Sequence, residues 1–289
     1  MSKKWLEKAP LVLVQAQFYF SDLPSPSLVT EQELESLHKA LIKLGFVEKI
    51  DTELVELGFE MSEEAHDGYI QIKQQKNNIK RLVFRGFNKT QSVEFMSNRI
   101  TVKNTDYKHY DQFVETIKNI LDVFTKNVSD LENVLMKQVS IRYIDVVLPS
   151  ENYELKDYIC PDLLPFHPTF SKKTIGMSQS IVKTDGDSFM IIVTEEVETN
   201  NYPGRWLPVD MLESDERAVL LLKPYLDKYQ QGKNYAILNI DHRVDFPNTP
   251  KWEQTNMLEK LDSLYDLSSQ FFWEVITDTA KTEWGMQDE

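Results

Sequence analysis

Apolar and polar positions alternate from Leu11 to Phe20. Val12, Val14, Ala16, Phe18 and Phe20 fall on one side, and Leu13, Gln15, Gln17 and Tyr19 on the other. A period of two predicts a strand, ended by Pro24 and Pro26. Thr30 and Glu33 have the spacing of a capping box, in which hydroxyl and carboxylate satisfy free amides at a helix start. Leu34, Leu37, Leu41 and Leu44 then recur at helical spacing, and Gly45 is the expected stop. Residues 50–68 are acidic; Leu54, Val55, Leu57 and Phe59 suggest a strand, and 60–68 a solvated loop. Four short β-like runs follow, Tyr69–Gln74, Lys80–Phe87, Gln91–Met96 and Arg99–Lys103. Lys-Asn-Asn, Asn-Lys-Thr and Ser-Asn turns separate them, the pattern of an antiparallel meander. Asp106 is the expected cap of a helix whose stripe is Tyr110, Phe113, Val114, Ile117, Leu121 and Phe124, continued after a break by Val128, Leu131, Val134 and Leu135.

The order then recurs. Val139, Ile141, Tyr143, Asp145 and Val147 alternate with Arg142, Ile144, Val146 and Leu148, another strand. A short helix is expected within Tyr153–Leu164. Strands at Ile175–Lys183 and Ser188–Glu196 flank Asp185-Gly186, the strongest hairpin signal in the chain. A long polar loop occupies 197–218, a short apolar helix is expected at Ala218–Leu226, and Asn234–Val244 reads as a strand. A final helix runs from Glu253 to about Thr282. The pattern predicts an α+β protein of two similar halves, 1–136 and 137–289, each an antiparallel sheet packed against a long helix. By analogy of architecture this is the tandem arrangement of the TATA-binding protein, which carries no functional implication.

Charge narrows the function classes. Lys and Arg number 32 and Asp and Glu 46, giving a net charge of −14 over 289 residues. That opposes general coating of nucleic acid, which needs a basic surface, though not a local basic patch. The single cysteine, Cys160, excludes an internal disulfide and a thiolate-based metal site. No apolar run approaches the roughly 20 residues of a membrane-spanning helix. The start, MSKKWLEKAP, lacks the apolar stretch of a secretory signal, so a cytoplasmic location is expected. Walker, dinucleotide-fingerprint and His-x-x-x-His motifs are missing, and nine glycines leave little for phosphate-cradling loops.

Three groups of residues offer binding chemistry. Asn201-Tyr202-Pro203-Gly204-Arg205-Trp206 joins a turn to an arginine and an indole, so Tyr202, Arg205 and Trp206 suggest an interaction loop; the alternative is a Trp packed back on the core. Asp241-His242-Arg243 is the densest polar cluster on a strand, but alternation puts Asp241 and Arg243 on one face and His242 on the other. Arg85 and Arg99, with Arg81 and Lys103, would form a basic strip on the first sheet if they face outward together, suited to a nucleotide or single strand; the alternative is cross-strand pairing with Glu94. The carboxylates from Glu195 to Glu216 read as a solvated run rather than a cation site, and no metal or cofactor is predicted.

Several stretches carry a resemblance over nearly the whole chain: Ala9–Val14, Arg81–Arg85, Val93–Phe95, Asn98–Val102, Tyr110–Phe113, Arg142–Asp145, Leu238–His242 and Phe271–Asp278. In this order and spacing the chain resembles a sporadically distributed prokaryotic family of similar length. The patchy distribution implies mobile islands such as phage-defence or toxin–antitoxin loci, and no activity is carried over. The leading expectation is a non-enzymatic cytoplasmic component that engages a protein effector or a second copy of itself. The alternative is a binder or sensor of a nucleotide or single-stranded nucleic acid through a sheet face. The third is a metal-dependent hydrolase or nuclease around Asp241 and His242.

Overall fold

The computed structural model describes residues 4–23, 29–62, 71–167, 175–198, 205–226 and 234–288, with side chains omitted over 54–78. In chain order the strands and helices are β1 (Lys4–Leu6), β2 (Leu11–Phe20), α1 (Glu31–Lys43), β3 (Phe46–Ser62), β4 (Gln71–Gly86), β5 (Gln91–Met96), β6 (Arg99–Asn104), α2 (Tyr110–Asn127), β7 (Met136–Val147), β8 (Met177–Lys183), β9 (Ser188–Val197), β10 (Tyr235–Asp245), α3 (Gln254–Val275), α4 (Asp278–Glu283) and β11 (Met286–Asp288). The fold is α+β. Nine strands form one antiparallel sheet in the order β3-β4-β5-β6-β2-β7-β10-β9-β8. The strands of the first and second halves of the chain therefore join, β2 against β7, while β1 and β11 tie the chain ends together as a separate pair.

Period-two alternation fixes the two faces of the sheet. One face is apolar: Val14, Ala16 and Phe18 of β2, Val93 and Phe95 of β5, Ile100 and Val102 of β6, and Val139 and Ile141 of β7. These share a single core with Leu37 and Leu41 of α1, Phe113, Ile117, Leu121 and Phe124 of α2, and Met257, Leu261 and Leu264 of α3. At about 1.5–3 kcal/mol per fully buried large apolar side chain, this layer is the main source of stability. The capping box forms as expected: Thr30 Oγ1 accepts from the Glu33 amide at 3.2 Å, and a Glu33 carboxylate oxygen accepts from the Thr30 amide at 2.7 Å. Gly45, at φ +96°, ends α1 in a conformation that side chains disfavour. The Asp185-Gly186 hairpin joins β8 to β9, with Gly186 at φ +53°.

Five expectations are corrected. Lys76-Asn77-Asn78 is not a turn; it lies inside β4, which pairs without a break in register with β3 from Glu48↔Arg85 to Ser62↔Gln71. Partner pairing overrides the turn preference of Asn there. Helix α2 starts at Tyr110 with His109 as N-cap, not at Asp106, whose amide instead donates to Asn104 Oδ1 at 2.7 Å. Tyr153–Leu164 holds two 3₁₀ turns, Leu155–Asp157 and Pro161–Leu163, because Pro161 removes a backbone donor between them. Glu216–Ala218 is a single 3₁₀ turn, and no helix continues from Ala218 to Leu226. The last helix breaks at Ile276, and Thr277 caps α4 by accepting from the Ala280 amide at 3.2 Å.

Candidate functional site: a basic basin under a strap

The sheet's second face is polar where it is most central. The register aligns Arg85, Ser92, Lys103, Gln15, Arg142 and Asp241 in one row. It aligns Val83, Glu94, Thr101, Gln17, Ser140 and Arg243 in the next. Central strands of a sheet normally carry apolar side chains on a face that is covered. Here Gln15, Thr101, Ser140, Arg81 and Glu94 are all buried. What covers them is the irregular segment 205–226, which crosses this face as a strap. Trp206, Leu207, Met211 and Leu222 pack on Val12, Ile144 and Ile237 at one end, and Ala218 packs on Ile50 and Val83 at the other.

Between strap and sheet lies a cavity of about 290 Å³. Five cations line it, Arg81, Arg99, Lys103, Arg142 and Arg243, against four carboxylates, Glu94, Asp210, Glu213 and Asp241, with Gln15, Gln17, Tyr19 and Ser140 between. Arg81, 3% exposed, donates to Glu213 at 2.7 Å and lies 3.5 Å from Glu94. Lys103 Nζ donates to Glu94 at 2.5 Å. Burial pushes the Glu94 carboxyl up, but the Lys103 and Arg81 charges outweigh it and hold the group below its ordinary value. Arg142 grips Asp210 through two bonds of 2.6 and 3.2 Å and donates to Asn239 at 2.8 Å. Asp241 is raised by burial, an effect only partly offset by Arg243, at 3.0 Å, and Arg142.

Arg99 is different. It makes no ion pair among the described residues: Nη1 donates to the Tyr19 hydroxyl and Nη2 to Met96 Sδ, both at 2.8 Å, with the guanidinium 5.1 Å from the Tyr19 ring centre. Its Nε is buried without an acceptor, as are Nε of Arg81 and Arg243. Unpartnered buried donors lining a cavity call for an acceptor.

The candidate residues separate. Arg99 and Arg243 line the basin with Asp241, on the face that alternation assigns them. Arg85 does not join Arg99. It lies in the row of Lys103, four residues along β6 from Arg99, and holds the strap instead, donating to Glu48 at 2.7 Å and to the Val219 carbonyl at 2.8 Å. His242 is fully buried on the opposite face, within bonding distance of Thr184 Oγ1 (2.9 Å), the Leu264 carbonyl (3.0 Å) and Ser268 Oγ (3.1 Å). Burial lowers its pKa and keeps the ring neutral. A joint site of Asp241 and His242 is therefore excluded by the pleat. Trp206 packs on the Tyr235 ring at 4.9 Å, and Arg205 pairs with Glu195, so these two form no open clamp. Tyr202 lies outside the described residues. The acidic run disperses onto separate cations: Glu195 on Arg205, Asp210 on Arg142, Glu213 on Arg81 and Asp215 on Arg217. Among the described residues no group of three or more His, Cys, Asp or Glu side chains could hold a metal ion, and no helix is long and apolar enough to cross a membrane.

Sequence reasoning passed over Arg142, Gln15 and Gln17. Their signal was present: polar residues at alternate positions on β2, β6, β7 and β10, which share one face of the sheet. No protein-family model and no curated protein matches this chain.

Proposed function

We propose that the chain is a non-enzymatic binding protein that takes a small anionic molecule, of the size of a nucleotide or smaller, in the basin on the strap-covered sheet face. Arg99 carries this reading, as a half-buried guanidinium that makes no carboxylate ion pair among the described residues and keeps a buried, unfilled Nε donor beside the cavity. Ligand pockets run from roughly 300 to 1,000 Å³, so about 290 Å³ suits a small molecule better than a threaded strand of nucleic acid. The net charge of −14 argues the same way, since it repels a polyanion while leaving a local cationic site usable. The strand order, with β2 and β7 adjacent at the middle of one sheet, supports the tandem reading of halves 1–136 and 137–289. On the family resemblance, the setting is a cytoplasmic component of a defence or toxin–antitoxin locus. Thermal-shift measurements with a panel of nucleoside mono-, di- and triphosphates and inorganic phosphate test the proposal. At least one stabilises the wild-type chain and fails to stabilise Arg99→Gln; a panel without effect, or equal effect on the variant, refutes it.

A second reading, self-association, draws on edge strand β8. Met177 is 62% and Ile181 65% exposed on an edge with no pairing partner among the described strands, a geometry prone to strand addition. Sedimentation velocity would show a dimer that Ile181→Lys converts to monomer. A wild-type chain that stays monomeric at tens of micromolar rules it out.

A further inference from the structure

We infer that the ligand of the basin carries two separated acidic groups, and that it enters by exchanging with Asp210 and Glu213, which hold two of the basin's guanidiniums as built-in substitutes. This rests on the basin being an anion site, and it adds the ligand's charge pattern and its route of entry.

The strap is anchored in two different ways along its length. Its ends are held largely by packing and backbone bonds: Trp206 on Tyr235, whose hydroxyl donates to the Arg205 carbonyl, at one end, where an Arg205–Glu195 ion pair adds to them, and Ala218 on Ile50 and Val83 at the other. Beyond Ala218, Arg85 donates to the Val219 carbonyl, and Thr105 Oγ1 donates to the Leu221 carbonyl at 2.6 Å. The middle, 209–214, is held mainly by charge. Val209 is 70% and Leu212 52% exposed, so apart from Met211, which packs on the Ile144–Ile237 cluster, little apolar burial fixes this stretch. Its strong attachments are Asp210 on Arg142 and Glu213 on Arg81, two carboxylates three residues apart reaching arginines on strands separated by β5, β6 and β2. Both attachments are of the kind an external anion would make. The two-bond grip of Arg142 on Asp210 is the fork geometry that carboxylates and phosphates share.

Charge balance fixes the ligand class. With the strap seated, five cations meet four carboxylates. With Asp210 and Glu213 withdrawn, five cations meet two, and a ligand with a single anionic group leaves either Arg142 without a carboxylate or Arg81 with only the longer contact to Glu94 at 3.5 Å, which is costly in a largely buried setting. A molecule with two anionic groups replaces both. The Asp210 side chain is 63% exposed, so exchange can begin there without unfolding the anchored ends.

The test compares adenosine 3′,5′-bisphosphate with adenosine 5′-monophosphate by calorimetry, on the wild-type chain, on Asp210→Asn/Glu213→Gln and on Arg99→Gln. Hydrogen exchange over 209–214 is followed in the wild type as a readout independent of the variants' stability. The bisphosphate is expected to bind the wild type more tightly than the monophosphate, to bind the double variant about tenfold more tightly still, and to speed exchange at 209–214. Equal or weaker binding by the double variant, together with unchanged exchange in the wild type, overturns the exchange mechanism. If Arg99→Gln abolishes that binding, the basin remains the anion site. Binding of neither compound to any of these chains removes the basin reading and this inference with it.

Discussion

Glu94→Gln tests whether the polar face of the sheet is a structural network as well as a pocket. Glu94 is 6% exposed and sits between Lys103 at 2.5 Å and Arg81 at 3.5 Å. Removing one partner from a buried ion pair costs about 3–5 kcal/mol, because the remaining charge stays desolvated. Two features place this case at the lower end. Arg81 keeps Glu213 at 2.7 Å, and the Lys103 side chain, 17% exposed, reaches some water. The expected loss is therefore about 3 kcal/mol at pH 7, read as a lower urea midpoint at unchanged slope. Its pH dependence has a definite sign. The folded-state pKa of Glu94 is depressed, so its contribution is fully present above the unfolded-state value of about 4.5 and fades as pH falls through the folded value. The gap between wild type and variant should narrow on acidification below about pH 4.5. Glu35→Gln is the control: Glu35 and Lys39 are 2.6 Å apart but both exposed, and no measurable change is expected. A gap under about 1 kcal/mol at pH 7, or one as large at pH 3 as at pH 7, would refute the buried-network account.

Two further outcomes follow from other buried groups. Burial raises Asp145 from 3.8 to about 7, with the Lys223 charge offsetting part of the effect. The folded state then binds a proton between about pH 4 and pH 7 that the unfolded state does not, so stability should fall as pH rises through that window and level off above it, by up to about 4 kcal/mol. Urea titrations at several pH values should show this slope in the wild type and not in Asp145→Asn. His242→Ala removes the partner of Thr184, Ser268 and the Leu264 carbonyl, and should destabilise by about 2–4 kcal/mol while leaving anion binding in the basin unchanged. A variant of wild-type stability that lost binding would contradict the core role assigned to His242.

Features set by neighbours in the chain were legible in the sequence. The alternation of β2 and β7, the Thr30–Glu33 box and the Asp185-Gly186 hairpin each depend on residues within a few positions of one another. Features set by distant partners were not. Lys76-Asn77-Asn78 reads as a turn until β3 is seen to pair along its whole length. The break after Val275 has neither proline nor glycine to mark it; it depends on Thr277 capping a second helix and on Ile159 bridging Ile276. The basin shows the same division. Arg81, Arg99 and Lys103 were visible as a basic strip with cross-strand pairing to Glu94 as its alternative, a pairing that Arg81 and Lys103 make, whereas Asp210 and Glu213 looked like a solvated acidic run. What unites them is contact across long stretches of chain, 132 residues between Arg81 and Glu213 and 68 between Arg142 and Asp210, which no local pattern encodes.

The contrast within the strap bears on why the basin is charged at all. Covering this face of the sheet does not require charge, because the strap covers its two ends with apolar contacts, Trp206 and Leu207 over Ile144 and Ile237, and Ala218 over Val83. An apolar middle would continue the same packing, and replacing buried ion pairs by well-packed apolar residues is often neutral or stabilising. The chain instead places Arg81 and Glu94 at 3% and 6% exposure on the adjacent strands β4 and β5 and leaves three guanidinium Nε donors without acceptors. Stability does not favour that choice. A ligand does: it needs cations held in place before it arrives, kept from collapsing onto one another by carboxylates it can displace.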